Sequence, residues 1–299
     1  IKFQNLDIFF MKKTIHLAQL LVILSTLIFA TYDGITRHLV AFNEITVFQV
    51  LFFRYFVFFI FVFFLLVRKG LKKIAKTNYF FLQTSRGLIL VMENIMFIYA
   101  FTFIDIATVH SIAAFAPIFV VILATLFLNE RFSKMVFVAT VFGCIGVLMI
   151  LKPGIDIGYE VFVPLICMFL LAVYQILNRA CNIRDSVETG VFYTATIGLI
   201  ISCLLAPFFW HPLAFDILLI ELITVGILST FAHYIFMLAY KFGEASSLAP
   251  FTYFLILFAI IVGYVAFREL PDLLSLAGAM IIVISGLAVW KKSKYTSKN

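Results

Sequence analysis

Charge is scarce in this sequence. Asp, Glu, Lys and Arg together make up 12% of its 299 residues, about half the share a water-soluble domain carries, so most of the chain is not built to face water. Cysteine is scarce too. Cys144, Cys167, Cys181 and Cys203 form no CxxC and no Cys/His spacing, which excludes a disulfide-stapled fold and a zinc ribbon and leaves four small apolar packing residues. Also missing are HExxH, GxSG, an Asp-rich diphosphate motif and the phosphate-cradling P-loop. No catalytic residue, metal or cofactor is therefore expected. Without a nucleotide site, uphill work would have to draw on an ion gradient, such as protons, or on an exchanged solute.

What the sequence has is apolar surface. Hydrophobic residues make up 64% of it, Phe alone supplies 38 positions and the mean hydropathy is +1.15. The apolar runs are uninterrupted rather than alternating, which argues for helices and against a β-barrel. A spanning helix takes roughly 20 residues, so a chain of this length holds about ten. The fold class expected is an all-α membrane protein, with helices near 15–36, 45–67, 79–103, 106–128, 134–151, 159–178, 188–210, 217–239, 246–267 and 273–290. The breaks between them are costly in hydrocarbon: Arg68 to Lys73, Asn129-Glu130-Arg131, Lys152-Pro153-Gly154 and Leu270-Pro271-Asp272.

Orientation follows from the basic residues. With a cytoplasmic N-terminus, 17 of the 22 Lys and Arg fall in inside segments and three outside, while Arg54 and Arg86 lie within spans. A multi-pass protein of the cell inner membrane with both termini cytoplasmic is expected. The net charge of +7 then reflects topology and anionic lipid, with no need for a nucleic-acid partner. Met11, Lys12 and Lys13 open a first helix with no cleavage site before Tyr32, so residues 1–10 read as an upstream extension and the helix as retained.

The chain also repeats itself. Ala30, Tyr32, Asp33, Thr36 and Arg37 match Ala172, Tyr174, Gln175, Asn178 and Arg179 at a shift of 142; Phe97, Ala100, Phe103, Asp105 and Glu130 match Phe236, Ala239, Phe242, Glu244 and Glu269 at 139. The layout expected is a cytoplasmic segment over 1–14, five-helix repeats over 15–151 and 159–290, and a basic cytoplasmic tail over 291–299. Five is odd, so the second repeat enters the membrane inverted. Inverted halves can exchange conformations about a midplane site, which is the basis of alternating access.

These residues resemble the drug/metabolite transporter superfamily, in its EamA-type two-repeat branch. The resemblance rests on Ser85-Arg86-Gly87 through Tyr99-Ala100, Ala113 to Pro117 and Leu126 to Arg131 in the first half, and on Ser247 to Tyr253, Phe267 to Asp272 and Gly278-Ala279 in the second. It covers about Leu17 to Trp290. It implies a permease for a small organic metabolite such as an amino acid, an amine or an S-adenosylmethionine-like solute. The APFxY and ELPD segments look like a subgroup from intracellular bacteria that takes up S-adenosylmethionine. The resemblance also places an arginine at Arg54 in many relatives, whereas Glu93 departs from the mostly apolar third helix of the family.

A charged side chain at mid-bilayer costs about 2.5–3.5 kcal/mol on insertion scales, so it should face the bundle interior and serve a purpose. Glu93 and Asn94 on helix three are the first candidates. Glu93 reads either as a proton or cation site, or counter-charge to a cationic amine, or as a neutral hydrogen-bonded tie between helices. His233, which overlays Asn94 at the shift of 139, is a substrate contact or a packing hydrogen bonder. Arg54 bridges helices or meets a carboxylate or phosphate. Tyr99, Tyr240 and Tyr253 offer aromatic faces for a planar or cationic ligand. Asp33 with Arg37, and Gln175 and Asn178 with Arg179, sit at equivalent helix ends as gates or as solvated termini. Arg86 reads as an interfacial anchor, and Glu130 and Glu269 as structural helix ends on opposite faces. Pro117 and Pro250 should loosen helices four and nine. Gly143, Gly146, Gly278 and Gly286 allow close helix packing and offer a face for a homodimer. Besides a small-molecule carrier in the lipid bilayer, the sequence leaves a receptor or scaffold and a membrane-embedded enzyme as alternatives.

Overall fold

The computed structural model describes residues 2–130, 134–151, 162–213, 217–269 and 273–295. The breaks expected at Arg131, at Lys152-Pro153-Gly154 and at Leu270-Pro271-Asp272, and the last residues of the basic tail, lie outside the described residues. Among the described residues every regular element is a helix: α1 (Lys2–Phe42), α2 (Val47–Lys69), α3 (Leu71–Ala75), α4 (Phe80–Ala100), α5 (Ile106–Ala113), α6 (Ala116–Leu128), α7 (Lys134–Leu151), α8 (Phe162–Arg184), α9 (Val187–Leu205), α10 (Ile217–Phe242), α11 (Ala245–Thr252), α12 (Phe254–Phe267) and α13 (Leu273–Tyr295), with a 3-10 turn at Ala206–Phe209. Eight stretches are long and apolar enough to cross a membrane: α1 from Ile15, α2, α4, α5 with α6, α8, α9 with the 3-10 turn, α10, and α11 with α12. The fifth and tenth expected spans correspond to shorter apolar helices, Lys134–Met149 and Leu276–Ser285.

Helices four and nine of the sequence reading are each broken. The first gives way at Ala114 and Phe115, just before Pro117 in the opening turn of α6, and the second at Tyr253, three residues after Pro250. A proline ring offers no amide hydrogen and crowds the carbonyl four residues back, so the ladder opens next to it. Ala114 and Tyr253 differ by 139, so the break itself is duplicated.

The packing is duplicated as well. α1 lies on α10 as α8 lies on α4; α1 runs along α12 as α8 runs along α6; α5 meets α12 as α11 meets α6; and α2 meets α9 while α7 meets α13. Exchanging the halves therefore leaves this scheme unchanged. α1 ends where α2 begins, whereas α8 ends beside the end of α2, where Lys69 contacts Glu188 and Thr77 contacts Asp185. The two repeats thus run in opposite directions.

Buried small side chains hold these helices close. A Cβ on Gly146 would come within 2.6 Å of the Gly278 carbonyl oxygen, so α7 and α13 of one chain approach backbone to backbone. Large apolar side chains such as Phe63, Phe64, Leu126, Phe127 and Val265 stand exposed, as expected of a surface solvated by acyl chains.

Candidate functional site

Where the halves meet, five long helices and the broken ones turn their polar stripes inward around a cavity of about 640 Å³, counted with the space open at its mouth. α1 contributes Thr26, Phe29, Tyr32 and Asp33; α2 contributes Arg54; α4 contributes Leu90, Glu93, Asn94, Phe97 and Ile98. α5 adds His110, α8 adds Leu171, Tyr174 and Gln175, α10 adds His233 and Phe236, and Thr252 and Leu255 close it from α11 and α12. The spacings 29/32/33, 90/93/94/97 and 171/174/175 are those of one helical face, which is why residues distant in sequence converge.

Arg54 is the cationic pole. Its Nη2 donates to the Tyr32 hydroxyl at 2.8 Å, and its guanidinium lies 4.7 Å from the centre of the Tyr32 ring. Glu93 and Asp33 are within its electrostatic field. The geometry gives Arg54 no direct carboxylate partner among the described ion pairs, so its remaining donors are available to a ligand anion. Asp33 has His110 beside it instead, with Nε2 at 3.1 Å from the carboxylate but outside hydrogen-bond geometry.

The other pole is aromatic. Phe29 meets Tyr32, His233 and Phe236 edge to face at ring distances of 5.7, 5.0 and 5.7 Å, and Tyr174 stacks against Phe236. His233 donates from Nδ1 to the Ser229 carbonyl at 3.2 Å, which leaves Nε2 as an acceptor. Asn94 donates to the Tyr55 hydroxyl at 3.0 Å, and Tyr240 donates to Gln175 at 2.5 Å. Such a wall can stack a planar group, and its rings can also face a cation.

The cavity thus gathers Glu93, Asn94, His233, Arg54, Asp33 and Gln175 of the sequence candidates. It does not gather Tyr99, which is 52% exposed and packs on Phe103 at the outer surface, because its helix turns Asn94 and Phe97 inward instead. Nor does it gather Tyr253, whose hydroxyl is bonded to the Thr140 carbonyl and to Cys144 and whose ring fills the space beside Gly143. Gly143 therefore makes room for a ring rather than for a helix. Asn178 lies deeper, bonded to Asn182. Arg86, read as an interfacial anchor, is fully buried between α4 and α9. Tyr32, Tyr174, Phe29 and His110 were not singled out for this site. Tyr32 and Tyr174 stood in the repeated AxY motif, while His110 becomes visible only once helix four is known to break just after it.

Arg37 does not pair with Asp33. It reaches across to the other half, where its Nη1 meets Glu269 at 2.5 Å, and the counterpart Arg179 meets Glu130 at 3.2 Å at the opposite face. The acids are aimed alike. Asn129 and Arg268 close α6 and α12 in the left-handed conformation, at φ 54 and 59, and the next amides, of Glu130 and Glu269, donate back to Ala124 and Gly263 at 3.3 Å. The cap amides of Asn129 and Arg268 donate to the same two carbonyls, so one left-handed helix end is written twice. Glu130 does more than its twin: it also accepts from the Ala245 and Ser246 amides and the Ser246 hydroxyl, capping α11.

Two inverted repeats around a polar cavity buried in an apolar bundle define a carrier of small solutes. The chain belongs to the EamA-like transporter family, whose description matches residues 16–152 and again 159–290. It is 30% identical over 244 residues to an S-adenosylmethionine uptake transporter of Rickettsia conorii, covering 81% of this chain and 82% of that one. It is 26% identical to a pseudopaline exporter of Pseudomonas aeruginosa, over 70% and 74% of the chains, and 26% identical to a riboflavin transporter of Brucella anthropi, over 83% and 89%. A crystal structure shares the fold, with a TM-score of 0.71, 16% identity and coverage of 96% of this chain and 98% of the other. The protein is a multi-pass membrane permease for a small metabolite.

Proposed function

We propose that this permease is an inner-membrane importer of a zwitterionic solute that carries both a cationic centre and a planar ring, with S-adenosylmethionine as the best fit, and that it works by alternating access. The observation that carries this reading is the polarity of the cavity: two carboxylates, Asp33 and Glu93, and one guanidinium, Arg54, lie beside the wall of Phe29, Tyr32, Tyr174 and Phe236. A sulfonium or ammonium suits the carboxylates, an α-carboxylate suits Arg54, and a purine suits the aromatic wall. The relative named for S-adenosylmethionine uptake supports the choice, while those named for pseudopaline and riboflavin mark the other chemistries the family handles.

In this reading the Arg179–Glu130 and Arg37–Glu269 pairs are the two latches of the cycle. Each joins one half to the other, at one face of the membrane, so opening a face breaks its own latch and leaves the twin closed. The basic ends of α2 and α8 support a cytoplasmic location for that face and for both termini, with the repeats taken over 15–151 and 159–290. The driving force is a proton taken up at Glu93 or an exchanged solute.

Proteoliposomes containing the full chain test this with radiolabelled S-adenosylmethionine, methionine, adenosine and riboflavin, with and without an imposed proton gradient. Uptake of S-adenosylmethionine that unlabelled S-adenosylmethionine suppresses and the other three do not is expected. Uptake of another of the four in its place would overturn the substrate.

A further inference from the structure

A line of buried polar groups lies outside the cavity and outside both latches. From Tyr174 at the cavity wall, Asn178 and Asn182 follow at successive turns of α8. On α4, which packs along α8, Gln83 donates to Asp185 at 2.7 Å and Arg86 lies within electrostatic reach of Tyr174 and Cys181. Gln83, Arg86, Asn178 and Asn182 are all 0% exposed. Yet Gln83 Oε1, Arg86 Nε and Nη1, the Tyr174 hydroxyl, Asn178 Nδ2 and Asn182 Oδ1 have no hydrogen-bond partner. Arg86 uses only Nη2, donating to the Gly190 carbonyl and the Thr194 hydroxyl, and no ion pair among the described residues includes it.

Each unmet polar atom sealed from water costs about 1–3 kcal/mol, so a run of them needs a reason. Packing does not supply one. The other half provides the control: at the shift of 139, Gln83 and Arg86 correspond to Leu222 and Val225, which are fully buried where α10 packs on α1. At those two α10 positions the same helix contact is thus apolar, with Val40 on α1 in place of Asn182 and only Thr36, in place of Asn178, polar and unpartnered. Polar groups that a closed contact does not need are groups that meet water or solute when the contact opens.

We propose that this line is the closed half-path between the cavity and the Asp185 face, and that Arg86 is a transit site that takes the solute's carboxylate from Arg54. The carboxylate chemistry rests on the zwitterionic solute of the proposed function; the half-path does not.

Two measurements separate these parts. In proteoliposomes, Arg86→Gln should lower the maximal rate for S-adenosylmethionine about tenfold, the worth of one charge-assisted hydrogen bond, with little change in KM. Decarboxylated S-adenosylmethionine should be carried as by the unaltered protein, and Arg86→Lys should restore most of the rate. Equal loss on both probes, or loss on neither, would overturn the transit site. If the unaltered protein carries neither probe, the solute reading falls and the transit site with it. The half-path is read without any solute. Asn178→Cys should react with a charged, membrane-impermeant methanethiosulfonate applied at the Asp185 face and not at the other, with the adduct mapped to residue 178 by mass spectrometry. A folded, monodisperse variant that reacts from neither face, or only from the Glu269 face, would sink the half-path.

Discussion

Glu93 illustrates what one residue can disclose. A carboxyl in an apolar helix is costly enough to need a function, and the cavity indeed gathers Glu93 with Asp33 and Arg54. Glu93→Gln keeps the shape and removes the charge, so gradient-driven accumulation should fall by at least about tenfold, roughly 1.4 kcal/mol of lost charge-assisted binding; accumulation equal to that of the unaltered protein would remove Glu93 from the site. His233→Ala should raise the apparent KM by a few-fold, since only Nε2 is free to meet a ligand, and an unchanged KM would return His233 to packing. These residues were legible because ionisable and amide groups are rare in the spans. Tyr99 and Tyr253 were not, because the chain has 12 tyrosines and which of them face inward depends on how each helix is rotated against its neighbours. Arg86 was misjudged for a related reason: sequence gives depth along a helix but not the α9 backbone that buries it.

At the scale of the element, the two helix ends carry the weight. Asn129 tolerates its left-handed conformation because its short amide side chain can bond locally. Asn129→Val should cost about 1–2 kcal/mol and turn Glu130 away from Arg179, seen as a lowered Tm in detergent and slowed transport. The latches can be tested by exchange. Glu130→Arg alone sets two cations face to face and should nearly abolish transport. Combined with Arg179→Glu it should recover part of the rate, and an absence of any recovery would deny the pair a role beyond folding. Gly198 is a second element-scale constraint, since a Cβ there would sit 2.1 Å from the Tyr55 ring. Gly198→Ala should cost about 1–3 kcal/mol of overpacking and, through the Tyr55–Asn94 bond, loosen substrate binding as well. The repeat motif made both helix ends visible in sequence. That each arginine would reach the acid of the opposite half, rather than its own neighbour, was not visible, because only the inverted packing brings α1 to α12 and α8 to α6.

For the molecule as a whole, the odd number of spans per repeat implied inversion, and the paired helix contacts express it. The symmetry stops at the chemistry of the cavity. Asp33, Glu93 and His110 come from the first half, and their counterparts in the second are Gln175, Ala232 and Ala249. The charged end of a solute should therefore stay with the first half throughout the cycle while the aromatic residues of α8 and α10 move past it. Asp33→Asn should consequently damage binding far more than Gln175→Asn at the equivalent position, a contrast that binding isotherms of the purified protein would show.

The twin latches are also unequally wetted. Glu269 is 36% exposed and Glu130 only 7%, and the first sits in the regime where ion pairs contribute at most about 1 kcal/mol while removing one partner of the second costs about 3–5 kcal/mol. Dissolved electrolyte screens the first and barely reaches the second. With the two pairs acting as the proposed latches, ionic strength on the Glu269 side should tune how readily the carrier opens toward it while that on the opposite side has little say, which would bias the resting state of this near-symmetric machine from outside the symmetry.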